Sequence, residues 1–411
     1  MQLGLMHPTG SPFARQAAIA LAELGALRWI ITSIAYNPQR YWAKGLQRWL
    51  PSVVRELERR TWPAPQGVPI YQYPWGELWR ILLLKAHVPQ RLGQNPQRLT
   101  DWRYASLDQQ VVHFHLTGLE GVYAYEDGAV QTFQVAKHWG IRCFYDLPIV
   151  YYRQSQQIQQ QEAALFPELA PALLSLREPV AKLVRKDQEL ALADRIIVPS
   201  TIVKDSLAAA PVDPERIRVV PFGAPLETHR PPPSPRPARP FRVLFVGRVG
   251  PRKGVHYLLQ AWRSLALANA QLHLVGINEF PFGWLHPERD RFIYTPSIPH
   301  HQLIPHYQQA SVLVLPSLLE GLALVQLEAL ACGLPIITTA HAGGTDLITD
   351  GVEGFIVPIR EPIALAEKIC WCYDHPNEMA RMGIAARRRA EALSWQRYRE
   401  QLKAVIQEGM A

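Results

Sequence analysis

The 411-residue chain has only four cysteines and no long apolar run. Because no stretch of 18 consecutive apolar residues occurs and residues 1–5 are too short for a signal peptide, we expect a protein that neither spans a membrane nor enters the secretory route. The cysteines are scattered without the paired spacing of a zinc site, which favours a reducing cytoplasm as the compartment. They are Cys143, Cys332, Cys370 and Cys372.

The sequence also lacks the glycine fingerprint of dinucleotide enzymes. No Gly-x-Gly-x-x-Gly segment follows the first predicted strand of either half of the chain, at residues 3–6 and 241–246. That fingerprint lets the backbone approach a pyrophosphate closely, so its absence disfavours a dinucleotide-dependent oxidoreductase.

The excess of positive charge is confined to the first quarter of the chain. Residues 1–104 contain thirteen Lys or Arg and five Asp or Glu, a balance of +8 that equals the balance of the whole chain. Tryptophans and arginines are interleaved within this quarter, at Trp42, Arg48, Trp49, Arg55, Arg59, Arg60, Trp62, Trp75, Trp79 and Arg80.

Basic, tryptophan-bearing amphipathic segments can lie in the headgroup region of an anionic bilayer. We therefore predict peripheral membrane contact through residues 39–104, at the inner face of the membrane. The alternative is a protein surface whose tryptophans pack inward and whose arginines are solvated. We expect no nucleic-acid partner, since no recognised binding module accompanies the charge.

The alternation of apolar runs and helical patterns predicts an α/β protein with two doubly wound parallel sheets. Between the halves, residues 229–240 contain six prolines in twelve residues, a composition typical of an extended linker. Predicted strands of the first half lie at residues 3–6, 28–33, 111–115, 142–145 and 195–198.

Two carboxylates, Glu320 and Glu328, are separated by seven residues after the predicted buried strand 311–315. Residues 322–332 are predicted to form a helix that stops at Gly333, which places Glu328 about two turns inside it. At ~1.5 Å rise per residue the pair is about 10 Å apart, too far to share a proton. That separation suits two ends of an extended ligand, with the free N–H groups of the helix start facing an anion. The alternative is a pair of ordinary solvated glutamates.

These residues belong to a series of motifs that resembles the donor-binding domain of retaining glycosyltransferases of family 4. The resemblance covers residues 241–358 and fades in the first 110 residues. Its motifs are Gly247-Arg248, Lys253-Gly254, the Glu320/Glu328 pair, Ala329-x-Ala331-x-Gly333-x-Pro335, Gly343-Gly344, and Gly351 with Gly354.

The resemblance implies a GT-B fold, in which two Rossmann-like domains face a central cleft that holds the active site. The expected parts are an acceptor-binding domain at 1–226, a linker at 227–240, a donor-binding domain at 241–388 and, at 389–411, a helix that crosses back to the first domain.

The resemblance further implies roles for individual residues. Arg248 and Lys253 would bind the diphosphate of a nucleotide sugar, where fixed cations stabilise the charge that develops on the leaving group. Glu328 would accept hydrogen bonds from the ribose, and Glu320 would contact the transferred sugar. The expected donor-binding set is Gly247, Arg248, Lys253, Ile298, Glu320, Gly321, Leu322, Ala323, Leu324, Val325 and Glu328.

The acceptor side departs from the family pattern. Where many members have a histidine after a strand of the first domain, this chain has Asp146. An aspartate there could orient an acceptor hydroxyl or stabilise positive charge at the anomeric carbon, and it could equally cap the turn before Pro148. At Gly10 and Ser11 the chain has one glycine where the family often has two.

The histidines His113 and His115 are predicted to alternate on strand 111–115 and to face one way, with Glu126 and Asp127 opening the next helix. A metal site from these four is conceivable, but cleft lining and helix capping are the more frequent roles of such residues. We therefore predict no metal. The expected acceptor-side residues are Gly10, Ser11, His115 and Asp146.

The sequence thus predicts a retaining glycosyltransferase that moves a hexose from a UDP-, GDP- or ADP-sugar to a hydroxyl of a sugar, glycan or lipid-linked acceptor. The leaving phosphate would assist a front-face reaction, with no cofactor and no glycosidase-type carboxylate pair. The predicted catalytic residues are Arg248, Lys253, Glu320 and Asp146. Alternatives are a GT-B epimerase or phosphorylase, although no pyridoxal lysine is marked, and a catalytically silent scaffold that binds a nucleotide sugar.

Overall fold

The computed structural model describes residues 1–37, 67–85, 97–234 and 239–411, together with positions 54, 57, 58, 60–62, 65 and 236. Two parallel sheets dominate these residues. The first has the strand order β3-β2-β1-β4-β5-β6-β7 and the second β10-β9-β8-β11-β12-β13. The strands are β1 (Leu3–Met6), β2 (Leu27–Thr32), β3 (Ile70–Gln72), β4 (Gly121–Tyr125), β5 (Arg142–Asp146), β6 (Arg195–Val198), β7 (Ile217–Val219), β8 (Phe241–Val246), β9 (Ala270–Val275), β10 (Ile293–Thr295), β11 (Val312–Leu315), β12 (Ile336–Thr338) and β13 (Gly354–Ile356).

Helices follow most of the described strands and cover the sheets. They are α1 (Pro12–Glu23), α2 (Pro74–Lys85), α3 (Gln97–Phe114), α4 (Val130–His138), α5 (Tyr152–Leu165), α6 (Val180–Leu192), α7 (Thr201–Ser206), α8 (Val255–Ser264), α9 (Ile304–Gln309), α10 (Leu324–Ala331), α11 (Gly344–Leu347), α12 (Pro362–Asp374), α13 (Pro376–Ala392) and α14 (Trp395–Met410). None of the helices in the described ranges is both long and apolar enough to cross a bilayer.

Strand β4 shows why the sheets are buried on both faces. Tyr123 and Tyr125 pack in the core cluster that contains residues of α1, whereas Val122 and Ala124 pack in the cluster that contains residues of α3 and α4. Successive side chains of a strand point to opposite faces, so a strand covered by helices on both sides is apolar throughout. The predicted pair of doubly wound parallel sheets is therefore confirmed.

The prediction of a strand at residues 111–115 is wrong, because Val111 lies in the last turn of α3. Leu107 and Val111 are both buried and lie four residues apart, which is the spacing of one helix face. A five-residue alternation fits a strand and a helix end equally well, and only the long helical segment before it distinguishes them.

Glu126 and Asp127 were predicted to open the next helix, and this prediction is also wrong. They lie in the turn before α4, whose first residue is Val130. The helix start is completed by Asp108 of α3, whose carboxylate accepts from the N–H groups of Gln131 at 2.8 Å and Thr132 at 2.9 Å. A carboxylate from a neighbouring helix thus satisfies N–H groups that lack an intrahelical partner.

The C-terminal helix α14 lies against α1 of the first half. Arg399 and Lys403 each contact the carboxylate of Glu23 at 2.9 Å. The backbones of Ala224 and Ser394 form an isolated parallel bridge just before this helix. The last residues of the chain therefore pack on the first sheet's layer rather than on the second.

A buried carboxylate also joins the two halves. Glu162 of α5 is fully buried and accepts from His256 Nε2 at 2.6 Å and from Arg360 Nε at 2.8 Å. Both partners belong to the second half of the chain. Burial opposes ionisation of Glu162, but the hydrogen bonds from His256 and Arg360 outweigh it and lower its pKa.

Candidate functional site

The carboxyl ends of the two sheets face each other across a cavity of about 240 Å³. Ligands of open parallel sheets bind at this edge, because the loops after the strands converge there. The first half contributes Phe13, Pro148, Ile149 and Phe222 to the lining, and the second half contributes Lys253 and residues 320–325.

The loop after β11 approaches the first half of the chain closely at Gly321. A Cβ built on Gly321 would lie 1.8 Å from the carbonyl oxygen of Pro148, so no larger residue fits in this arrangement. The hydroxyl of Ser200 donates a 2.6 Å hydrogen bond to the carbonyl of Gly321. The two halves are therefore in backbone contact beside the cavity.

Glu320, which lines the cavity, is held by two cations. Lys253 Nζ and Arg252 Nη1 each lie 2.6 Å from Glu320 Oε1. Burial raises the pKa of Glu320, but Arg252 and Lys253 outweigh it and lower the pKa below its ordinary value. Burial lowers the pKa of Lys253, and the charge of Glu320 opposes that effect. The cavity floor is thus a compact ion cluster with more cation than anion.

Arg252 was not among the predicted site residues, whereas Arg248 was. In the structure Arg248 is paired with Glu279 and its side chain is 56% exposed. It still lies close enough for its charge to contribute to the lowered pKa of Lys253. Gly254 after Lys253 has φ +67°, and a Cβ there would lie 2.0 Å from the carbonyl oxygen of Pro316, which explains the glycine at this turn.

Glu328 occupies the second turn of α10 and is 4% exposed. His300 Nε2 lies 2.8 Å from its Oε1, and the Tyr307 hydroxyl donates to its Oε2 at 2.7 Å. Burial raises the pKa of Glu328, but His300 and Tyr307 outweigh it and lower the pKa. The alternative of an ordinary solvated glutamate is therefore wrong for Glu328. His300 and Tyr307 were not predicted, because nothing in their local sequence relates them to α10.

The start of α10 lies between the two carboxylates. Its N-cap is Ala323, which has no side-chain acceptor for the N–H groups of the first turn. Free N–H groups at a helix start attract anions. The residues predicted to supply these groups, Leu322, Ala323, Leu324 and Val325, all line the cavity with Gly321.

Gly247 and Ile298 were also predicted to bind the donor, and they lie near rather than in the cavity lining. A Cβ on Gly247 would be 3.9 Å from Lys253 Nζ, so the glycine backbone passes beside that ammonium group. Ile298 is partly buried against the core cluster that includes residues of α10.

On the acceptor side, Gly10 and Ser11 form the loop between β1 and α1. His7 organises this loop, because its Nδ1 accepts from the N–H of Gly10 at 2.9 Å. Burial, with the charges of Arg103 and Arg15, lowers the pKa of His7 to about 3, so its ring is neutral at physiological pH. His7 was not predicted. Gly10 has φ +63°, and a Cβ there would lie 2.4 Å from the indole nitrogen of Trp62.

The structure does not bring Asp146 and His115 to the cavity. Asp146 is 1% exposed and accepts from the Tyr123 hydroxyl at 2.6 Å, inside the core of the first sheet. His115 follows α3 and its Nε2 lies 2.6 Å from the Tyr73 hydroxyl. Neither residue is among those that line the cavity, which Pro148 and Ile149 reach instead.

Comparison with known proteins shows which sequences and folds this chain resembles. Residues 228–389 match the family model described as Glycosyl transferases group 1. The D-inositol 3-phosphate glycosyltransferase of Xylanimonas cellulosilytica is 28% identical over 273 residues, which cover 61% of this chain and 64% of that protein. The same-named enzyme of Geodermatophilus obscurus is 33% identical over 256 residues, which cover 55% of each chain. The chain thus spans roughly three fifths of the curated relatives it matches.

Solved structures resemble the whole chain. Sucrose-phosphate synthase (tll1590) from Thermosynechococcus elongatus has a TM-score of 0.68 at 20% identity and covers 99% of both chains. Anabaena Alr3699/HepE in complex with UDP-glucose has a TM-score of 0.63 at 16% identity and covers 99% of this chain and 100% of its own. These likenesses, with the matched group 1 region, confirm the predicted GT-B fold of two Rossmann-like domains.

Proposed function

We propose that this protein is a retaining glycosyltransferase that moves a hexose from a nucleoside-diphosphate sugar to an acceptor hydroxyl. The observation that carries the proposal is the arrangement around the start of α10. A cation cluster of Arg252 and Lys253 lies at one end, a buried ionised Glu328 lies at the other, and helix N–H groups lie between them. In a nucleotide sugar the diphosphate lies between the transferred sugar and the ribose, and both rings carry hydroxyl groups. The diphosphate would meet the cations and the helix N–H groups, and the ribose would meet Glu328.

The diphosphate is proposed to bind between Lys253 and the N–H groups of residues 323–325. Negative charge on the leaving phosphate increases as the bond to the sugar breaks, so fixed cations there stabilise the transition state more than the ground state. Because Lys253 is only 8% exposed, its interaction with that charge is weakly screened by water. The Arg248 guanidinium would also contact the phosphates if it left Glu279 and bound the ligand.

Retention is proposed to follow from a front-face reaction. The acceptor oxygen bonds to the anomeric carbon on the face from which the phosphate leaves, and the acceptor proton passes to the departing phosphate oxygen. Glu320 is unsuited to act as a nucleophile, because two cations neutralise it. Its role in this proposal is to hold Lys253 and to accept hydrogen bonds from the transferred sugar.

Glu328 is proposed to bind the ribose. Its Oε1 is hydrogen-bonded to His300, whose side chain is 61% exposed and can therefore swing away into solvent. Ribose hydroxyls are donors and would replace that bond with little loss. HepE structures with UDP and with UDP-glucose share the fold, which makes UDP the first nucleotide to test.

The cavity is smaller than the roughly 300–1,000 Å³ typical of small-molecule sites. Entry of a nucleotide sugar therefore requires the lining to open, and the two halves of the chain are the natural moving parts. Transfer is proposed to take place with the contacts of Gly321 with Pro148 and Ser200 formed and with the side chains that line the cavity displaced by the bound donor.

Membrane contact is proposed through α2. Trp75, Leu78, Trp79 and Leu82 form one stripe of this helix and are 74%, 45%, 56% and 56% exposed. Such a stripe suits insertion among lipid headgroups and would bring a lipid-linked acceptor to the enzyme. The predicted residues Trp42, Arg48, Trp49, Arg55 and Arg59 lie outside the described part of the chain.

The structure corrects the sequence-based view of the other basic residues. Arg60 and Arg80 are not solvated, since they contact the fully buried Glu77 at 2.5 Å and 2.7 Å. Burial opposes ionisation of Glu77, but Arg80, Arg103 and Arg60 outweigh it and lower its pKa to about 2. Trp62 packs inward, and its indole N–H donates a 3.2 Å hydrogen bond to the Thr32 hydroxyl. The membrane proposal therefore depends on α2 alone among the described residues.

Calorimetric titration with UDP, GDP and ADP tests the donor site directly. One nucleotide is expected to bind, and Glu328→Ala is expected to weaken it by ~1–3 kcal/mol through the lost ribose hydrogen bonds. Glu367→Ala, an exposed glutamate of α12, is the matched control and should bind like the wild type. Proton NMR of the transferred sugar then reports retention or inversion. Failure of all three nucleotides to bind would contradict the proposal, whereas binding of a nucleotide without any sugar transfer would favour the silent-scaffold alternative.

A further inference from the structure

Behind the start of α10, two histidines and a carboxylate converge. His229, His300 and Glu328 each place one ligand atom within 4.8 Å of the other two. His300 Nε2 lies 2.8 Å from Glu328 Oε1, and the rings of His229 and His300 have centroids 5.5 Å apart. Two imidazoles and one carboxylate with an open fourth position form a donor set that suits Zn²⁺ and similar divalent ions.

His229 provides a second, independent observation. It is 1% exposed, and its Nε2 is a buried atom with no hydrogen-bond partner in the described part of the chain. Its Nδ1 lies 2.9 Å from the Thr228 hydroxyl. If Nδ1 donates to Thr228, the lone pair of Nε2 remains free for a metal. A buried ring nitrogen without a partner is unfavourable, and a bound ion would remove that penalty.

The surroundings of the cluster also suit an ion. Tyr307 is fully buried and donates to Glu328 Oε2, which orients the carboxylate and leaves Oε1 facing the histidines. Metal–ligand distances of ~2.0–2.2 Å require the three atoms to draw slightly together. His300 can make that movement, because its side chain is 61% exposed and lies on a surface turn.

We propose that His229, His300 and Glu328 bind Zn²⁺ or a chemically similar divalent ion, and that this ion and a nucleotide sugar exclude each other. The exclusion rests on the proposed function, in which Glu328 binds the ribose. The metal site itself does not depend on the proposed function. A rise in the free concentration of such an ion would then inhibit the enzyme at its donor site.

Titration of the metal-free full-length protein with Co²⁺ tests the site, because tetrahedral Co²⁺ has a strong visible absorption. One ion per chain is expected, displaced by Zn²⁺. His300→Gln, on the surface, and His229→Gln should each weaken binding at least ~10–100-fold, the range seen even for outer-shell changes at metal sites. Controls are His301→Gln, the exposed neighbour, and His306→Gln, whose ring lies 4.9 Å from that of His273. Absence of the absorption, or its persistence in His300→Gln, would overturn the proposal.

The exclusion is tested by UDP calorimetry with and without Zn²⁺. Zn²⁺ is expected to weaken UDP binding to the wild type but not to His300→Gln, whereas chelation of Zn²⁺ by UDP would affect both proteins equally. Equal effects, or no effect, would overturn the exclusion. If UDP fails to bind even without Zn²⁺, the donor-site proposal falls, and the Co²⁺ titration still decides the metal site separately.

Discussion

Replacement of Gly321 by alanine would test whether the closed arrangement of the two halves is the one that reacts. The added Cβ would lie 1.8 Å from the carbonyl oxygen of Pro148, and ordinary contact begins at 3.4 Å. The halves must therefore separate by about 1.6 Å, the difference between these two distances. The three atoms nearest to the added Cβ belong to the backbone of Pro148 and Ile149, so no flexible side chain can absorb the change.

The expected losses follow from that displacement. Overpacking of this kind costs about 1–3 kcal/mol of stability, and the stretched Ser200 hydrogen bond adds about 1 kcal/mol. A displacement near 1 Å of groups that position substrates lowers the reaction rate about 100-fold. Nucleotide affinity should change little, because Lys253 and Glu328 lie on the same side of the cleft as Gly321. Transfer rates and UDP calorimetry on the same preparation of Gly321→Ala would separate the effect on the reaction rate from the effect on nucleotide affinity.

Gly76→Ala is the matched control. A Cβ there would meet the Trp102 ring at 3.5 Å, an ordinary contact, and Gly76 lies inside α2. Alanine should stabilise that helix by roughly 0.5–1 kcal/mol and leave transfer unchanged. A Gly321→Ala enzyme with the wild-type transfer rate would refute the inference that backbone contact between the halves is needed for the reaction.

Three further predictions concern stability and membrane contact. Glu162→Ala should lower the free energy of unfolding by ~3–5 kcal/mol at pH 7 in urea titrations, since it removes the buried carboxylate that both His256 and Arg360 contact. Because the pKa of Glu162 is lowered, this difference should be present above pH 4.5 and shrink as the pH falls through the lowered pKa; an equal difference at pH 3 would contradict the buried ion pair. Burial raises the pKa of Asp146 to about 7, so its ionisation destabilises the fold. As the pH rises from 4 to 7, the free energy of unfolding of the wild type should fall by up to ~4 kcal/mol relative to that of Asp146→Asn. A difference that does not change with pH would argue against a buried acid. Trp79→Glu should reduce flotation with anionic vesicles, while Trp139→Glu, 53% exposed elsewhere, should not; equal flotation of both variants would remove α2 from the membrane proposal.

Local sequence was sufficient for the parts of the site that lie on consecutive segments. Lys253 and Glu320 lie in the segments that follow the buried strands β8 and β11, and Glu328 lies in the second turn of the helix after β11. Parallel strands end at the same edge of a sheet, so loops after successive strands meet there whatever the details of packing. The two parallel sheets could be predicted for the same reason, since alternating strand and helix patterns are local.

Only the tertiary structure decided which side chains meet across the chain. His300 and Tyr307 lie 28 and 21 residues before Glu328, and Arg60 meets Glu77 beneath a helix that exposes its tryptophans. Asp146 lies at the end of its strand with its side chain in the core, where the Tyr123 hydroxyl of the neighbouring strand donates to its carboxylate. Sequence determines where along the chain a charge occurs and predicts several of the strands, although the segment 111–115 lies at the end of α3. The direction in which a side chain points, and the partner that neutralises it there, depend on elements that are distant in sequence and adjacent only after folding.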